Sequence, residues 1–259
     1  MKILIINSSP RKNGNSKEIA NIIENKFSQF GDSAVEVEQI FLTEFDLHLC
    51  RGCCNCLTIG EDFCPLSGDD RKILEEKLLA SNGVIFVSPV YAMNMPAILK
   101  NFMDRFAFTM HRPRFFEQYT MLIAVTGAFG TKETINSLSQ IKYSGFNIIE
   151  KLHLKAQSPL ENINFKNKQQ IKKIEDKIEK FYSNVRKKTL YSPSLMSLIS
   201  FRLQQKSFSL LNPKKYADWK YFNENGWFNE TAQYYTQNAK IPILKEMSAR
   251  AIANILFKI

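Results

Sequence analysis

The sequence predicts an α/β protein: a doubly wound sheet of five parallel strands in the order 2-1-3-4-5, followed by a helical C-terminal extension. Three observations predict it. Short apolar runs alternate along the chain with amphipathic stretches of helical period. The runs KILII, GVIFVS and TMLIAVT are apolar almost throughout, as strands buried on both faces are. Each leads into a polar loop and then a helix, the pattern of βα units with right-handed crossovers.

Element by element, Lys2–Ile6 reads as a buried strand and Ser16–Phe30 as a helix. Ala34–Leu42 (AVEVEQIFL) alternates apolar and acidic residues, as an edge strand does. A cysteine-rich loop follows, then a helix over Asp69–Ala80 with Ser67 or Asp69 as its N-cap. Gly83–Ser88 is a strand, Pro96–Phe108 a helix, Thr120–Thr126 a strand, Lys132–Tyr143 a helix and Asn147–Leu154 the fifth strand. Lys166–Lys188 is a long charged helix. The domain reading is therefore residues 1–188 for the sheet unit and 189–259 for a helical, aromatic-rich extension acting in dimerisation or as a lid. Within the extension, Ser192–Leu211 opens on Ser-Pro and is apolar around much of its circumference, Lys214–Thr236 holds eight aromatic residues, and Leu244–Ile259 carries apolar residues at helical spacing.

Charge separates the same two parts. Of the formal net charge of +10, residues 1–150 contribute −2, residues 151–188 +7 and residues 189–259 +5. A basic patch suits nucleic acid, but no base-reading motif accompanies it, and a solvated lysine face on the long helix explains it more simply. Nucleic acid is thus not an expected partner. No apolar run is long enough for a membrane span. MKILIINSSP lacks a signal-peptide core, so a cytoplasmic protein with reduced thiols is expected.

In a doubly wound sheet, ligands bind beyond the carboxyl ends of the strands. Three loops there are distinctive. Asn7–Ser16 (NSSPRKNGNS) lacks both the triphosphate and the dinucleotide glycine patterns. It offers hydroxyls, amides, the Arg11 guanidinium and a helix N-terminus, a set suited to a terminal phosphate monoester. Ser88–Pro96 (SPVYAMNMP) can run along a flat heterocycle, with backbone N–H groups toward its carbonyl edge and Tyr91 or Met93 on its face. In the helix after it, Lys100 and Asp104 form an i,i+4 pair. Thr126–Thr131 (TGAFGT) has two glycines that let backbone approach a ligand, with Thr131 as a cap for the next helix. A plain turn, core filling and an ordinary glycine turn are the bland readings of the three loops.

Together, SSPRKNGNS, SPVYAMNMPAILKNFMDR and the intervening CRGCCNC with DD resemble the NADPH-dependent FMN reductase and iron–sulfur flavoprotein group of flavodoxin-like proteins, over roughly residues 1–185. The resemblance implies FMN, its phosphate on Ser9, Arg11, Asn15 and Ser16. It implies ring and ribityl contacts from Pro89, Val90, Tyr91, Asn94, Thr126, Gly127 and Gly130. The chain departs from the group at Ser8, where glycine is common. The implied activity is an oxidoreductase that takes hydride from NAD(P)H and passes electrons to a small acceptor such as a flavin or quinone. The alternative is a flavin–iron–sulfur electron carrier reduced by a ferredoxin. Hydride transfer requires no acid–base residue, and the scattered His48, His111 and His153 read as structural.

All five cysteines fall within residues 50–64. Cys50, Cys53, Cys56 and Cys64 are close to the spacing by which iron–sulfur flavoproteins hold a [4Fe–4S] cluster, with Cys54 the spare. The same four thiols could take zinc, or line the flavin site with no metal. The aromatic-rich extension is expected to pack on its own domain or on a second subunit, in a homodimer or homotetramer, rather than on a membrane surface.

Overall fold

The computed structural model describes residues 1–31, 34–156, 168–190, 192–237 and 239–257. Strands β1 (Lys2–Asn7), β2 (Glu36–Phe41), β3 (Gly83–Pro89), β4 (Tyr119–Thr126) and β5 (Asn147–Lys155) form one parallel sheet in the order β2-β1-β3-β4-β5. This is the predicted order, and it sets the carboxyl ends of β1, β3 and β4 side by side.

Strand alternation divides the core in two. Leu4, Ile6, Val84, Phe86, Leu122 and Ala124 face one side, under α3 (Arg71–Leu79), α4 (Ala97–Arg105) and α5 (Thr131–Leu138). Ile3, Ile5, Ile85, Val87, Met121 and Ile123 face the other, under α1 (Asn15–Ser28) and α6 (Lys168–Lys187). Helix α6 turns Ile174, Ile178, Phe181 and Val185 inward at helical spacing. The first two residues of the helix expected over 166–188 lie outside the described residues.

Two expected helices are shorter than their apolar pattern. Helix α4 stops at Arg105, and Ala107–Met110 tightens into a 3₁₀ turn in which Thr109 donates from both N and Oγ1 to the Phe106 carbonyl. Helix α5 stops at Leu138, and a 3₁₀ segment over Ser139–Ser144 ends at Gly145, whose φ is 104°. The expected caps also differ. Asp70, not Ser67 or Asp69, stands at the N-cap of α3, with no side-chain cap bond, because its carboxylate accepts instead from the Asp46 amide at 2.7 Å. Gly130, not Thr131, caps α5.

The extension forms α7 (Leu195–Ser209), α8 (Ala217–Glu224) and α9 (Ile243–Leu256), the last stopping short of the expected 259. Ser194 Oγ caps α7 by accepting from the Ser197 amide at 3.1 Å. Its core is aromatic: Phe201, Phe208, Phe222, Trp227, Tyr234 and Tyr235 bury together. Most of the aromatic run over 214–236 is thus internal packing. Among the described residues, no helix is long and apolar enough to cross a membrane.

Candidate functional site

The first loop turns at the end of β1 with its short polar residues buried: Asn7, Ser8, Ser9 and Ser16 are all below 5% exposed. Asn7 Oδ1 accepts from the Ser9 amide at 2.9 Å, and Ser9 Oγ accepts from the Arg11 amide at 3.2 Å. These Asx- and Ser-type turns fold the loop over the start of α1. Gly14 caps α1 with its carbonyl but supplies no side-chain acceptor. Among the described residues, no protein group accepts from the Asn15 and Ser16 amides, and no carboxylate pairs with Arg11. Asn7 Nδ2 and Asn15 Oδ1 are buried without a partner. Lys12, by contrast, pairs with Glu44 at 3.3 Å. A loop of donors at a helix N-terminus, with the orphaned Asn7 Nδ2 donor and no competing carboxylate, fits a phosphate.

The second loop is a miniature hairpin. Tyr91 and Asn94 exchange backbone hydrogen bonds at 2.7 and 2.9 Å, and Asn94 Oδ1 accepts from the Met95 amide at 2.8 Å. The turn between them holds Ala92 and Met93 at φ of 47° and 64°. Of the amides expected to face a ring, those of Val90, Tyr91 and Asn94 are therefore committed within the protein. The amides of Ala92 and Met93, at the tip, are the ones left to donate among the described residues.

The third loop meets the second at Gly130. Its φ is 95°, and a Cβ there would come within 2.6 Å of Val90 Cγ1 and 2.9 Å of Met93 Cα. Glycine is needed at this position both for the backbone angle and for the close approach. Thr126 Oγ1 braces the loop, donating to the Phe129 carbonyl at 2.7 Å and accepting from the Ala128 amide at 3.2 Å. Phe129 and Met93 remain 76% and 53% exposed. The structure thus brings the three loops to one rim, with a donor cradle at one end and exposed apolar side chains at the other.

The cysteine loop lies along α4, whose N-terminus directly follows the second loop. Asn101 and Arg105, an i,i+4 pair on one face of α4, hold it at both ends. Asn101 Oδ1 accepts from the Cys50 amide at 3.1 Å, and its Nδ2 donates to the carbonyls of Leu47 and His48 at 3.0 and 3.2 Å. Arg105, 4% exposed, donates from Nη1 to Cys64 Sγ at 3.0 Å and from Nη2 to Asp69 Oδ2 at 2.7 Å. The expected Lys100–Asp104 pair forms at 2.5 Å and is exposed, with Asp104 at the edge of the cavity that the cysteines line. All five cysteines line one cavity of about 120 Å³ with Arg71, Arg105 and Phe108. Burial pushes the Cys56 thiol above its ordinary range, reinforced by the neighbouring Cys64. The thiols share this cavity without closing on a common point: among the described residues, no three Cys, His, Asp or Glu side chains converge as ligands for an ion. The side chains as placed are therefore not a preformed metal centre.

Beneath the cysteines runs a buried ionic chain that sequence reasoning missed. Asp218 of α8 accepts from His111 Nδ1 at 2.8 Å and from Arg112 Nη1; Arg112 Nη2 reaches the Cys56 carbonyl and Glu61, the latter at 2.8 Å. Arg114 then links Glu61 to Glu75, each at 2.8 Å, and Arg71 closes on Glu75 at 2.6 Å. The guanidinium groups of Arg71, Arg112 and Arg114 all sit within 5.7 Å of the Phe108 ring centroid. No local motif announces this chain. A groove of about 900 Å³, between Tyr119 and Trp227, lies at the opposite, N-terminal edge of the sheet and is no part of the rim.

With this geometry in place, a family model described as NADPH-dependent FMN reductase matches residues 1–184. The chain belongs to this family. Among its relatives, the iron–sulfur flavoprotein of Archaeoglobus fulgidus is 33% identical over 135 residues, covering 52% of this chain and 59% of that protein. The iron–sulfur flavoprotein CD630_04720 of Clostridioides difficile is 27% identical over 194 residues, covering 74% of this chain and 79% of the relative. The match therefore spans less than two thirds of the Archaeoglobus relative's length. A flavone reductase structure superposes with a TM-score of 0.56 at 15% identity, over 72% of this chain and 63% of its own, a likeness of fold alone. The donors at the start of α1 and the glycine contact between the second and third loops are compatible in chemistry with FMN, the group the family's description names.

Proposed function

We propose that this chain is an FMN-dependent oxidoreductase that oxidises NAD(P)H and reduces a small acceptor, a flavin, quinone or similar. The carrying observation is the donor cradle of Ser9, Arg11, Asn15 and Ser16 opening beside the two glycine- and proline-shaped loops. Bound there, FMN would supply hydride acceptance and onward electron transfer, chemistry no side chain of this chain can perform. The residues' own work is positional. The cradle neutralises the phosphate dianion with one guanidinium and the dipole end of α1. Pro89, Val90, Tyr91 and Asn94 fix one wall, which Gly130 lets the Thr126–Gly127 loop abut. The tip amides of Ala92 and Met93 would hold negative charge on the ring's carbonyl edge. Exposed Phe129 and Met93 offer a planar acceptor an apolar face. Rapid-mixing reduction by NADH and NADPH tests this reading: bleaching of the flavin band by either at a rate matching turnover supports it. Reduction by a ferredoxin alone contradicts it.

A second reading has its own support. Four cysteines at cluster spacing line one cavity, Arg105 donates to Cys64, and the two relatives above carry iron–sulfur flavoprotein names. On that reading the chain is an electron carrier for a ferredoxin-type donor, and Cys50, Cys53, Cys56 and Cys64 must shift inward to bind iron, because their present placement does not converge. Iron and sulfide counts on protein purified without oxygen separate the two. We also take the protein to be cytoplasmic and homo-oligomeric; sedimentation of the full chain tests the assembly, and cell fractionation the compartment.

A further inference from the structure

Helix α9 is amphipathic in the inverted sense. Leu244, Met247, Ala251 and Ile255 recur at helical spacing on one face, and that face is turned to solvent: Leu244, Met247 and Ile255 are 79%, 59% and 63% exposed. The opposite face packs on the extension through buried Ala249 and Ala253 and partly buried Ile252. The charged residues point the other way. Glu246 accepts from Arg202 Nη2 at 2.5 Å and from Arg250 Nε, and Lys245 Nζ donates to the Pro193 carbonyl at 2.7 Å. Although burial opposes it, these two guanidinium groups hold the Glu246 carboxyl below its ordinary range, so this inward pairing is maintained at neutral pH. A helix that turns its charges away from one face and shows leucine, methionine and isoleucine to water there is built to meet an apolar phase.

We propose that this face lies on an anionic membrane surface. Two observations favour lipid over a second copy of the chain. The stripe is small: a helix of this length is ~21 Å long and ~10 Å wide and covers roughly 200 Å², well short of the ~800 Å² per partner of a stable protein interface. An interfacial helix requires no more than such a stripe. The surroundings are also basic. Residues 189–259 hold nine Lys and Arg against four Asp and Glu, and the one acid of α9 is sequestered. Lys240 is exposed just before the helix, and Lys206 Nζ sits 5.4 Å from the Phe257 ring just after it. Cations at both ends of an uncharged apolar stripe complement a surface of acidic headgroups with acyl chains beneath.

The test is co-sedimentation of the full-length, FMN-incubated chain with phosphatidylcholine vesicles, with and without phosphatidylglycerol. The expected result is binding that requires phosphatidylglycerol, weakens in high salt, and falls by about tenfold or more in Leu244→Glu/Ile255→Glu. Both positions are exposed, so thermal unfolding of the variant should match the parent. No binding to anionic vesicles, or binding that the double variant retains, overturns the proposal. So does a dimer in solution that the double variant converts to monomer, since a second copy would then cover the face.

Discussion

Asp218 in the C-terminal extension and Arg112 at the edge of the sheet unit form a buried ion pair, 5% and 2% exposed, and the same guanidinium reaches the Cys56 carbonyl. The extension is thereby fastened to the cysteine loop through one side chain. Asp218→Ala should leave Arg112 buried with Glu61 as its remaining carboxylate, at a cost of about 3 kcal/mol. Urea unfolding measures that cost, and faster alkylation of the cysteines in the variant would show that the clamp also orders the loop. Unchanged stability would mean that the pair is dispensable.

Gly130→Ala should weaken FMN binding more than its size suggests. The added methyl meets Val90 and the Met93 backbone at a φ of 95°, so the two loops must part. A strain of about 1–3 kcal/mol is expected in the free protein, visible as a lower melting temperature with faster FMN dissociation.

Acid should weaken the ionic chain under the cysteines. Burial alone would raise the Glu61 carboxyl, but Arg112 and Arg114 outweigh it and hold it below its ordinary range. A carboxyl lowered on folding contributes stability that is complete above its unfolded pKa and is lost as pH falls through the folded one. The urea midpoint should therefore drop below about pH 4.5, and Glu61→Gln, less stable at neutral pH, should show a shallower drop. Parallel pH curves for the two proteins would exclude Glu61 as a contributor.

Cys54 should be separable from the other thiols. It occupies the left-handed region at φ 59°, immediately before α2 (Asn55–Thr58), with its sulfur toward the Gly52 carbonyl. If anaerobically purified protein contains iron, Cys54→Ser should keep it, and Ser at Cys50, Cys53, Cys56 or Cys64 should lose it with FMN retained. Iron loss from Cys54→Ser would refute that ligand set.

The sheet was legible because KILII, GVIFVS and TMLIAVT are buried on both faces and have no other use. The polar loop after β1, proposed to hold the phosphate, was legible because a βα loop of serines, asparagines and one arginine is a local feature. The Asp218–Arg112 pair was not: 106 residues separate its partners, and neither neighbourhood marks it. Asn101 and Arg105 stood within a quoted motif, but their i,i+4 spacing acquires meaning only once the cysteine loop is known to lie on α4. The direction of α9 was likewise hidden, since an apolar stripe has the same period facing inward or outward.

The most direct test of the flavin assignment compares FMN with riboflavin on the same apoprotein by quenching of flavin fluorescence. If the Asn7–Ser16 loop holds the phosphate, as proposed, FMN should bind far more tightly than riboflavin. Arg11→Ala should cost FMN roughly tenfold or more, as a charge-assisted bond of ~1.5–3 kcal/mol implies, and leave riboflavin unchanged. Equal affinity for the two flavins in the intact protein would contradict the assignment.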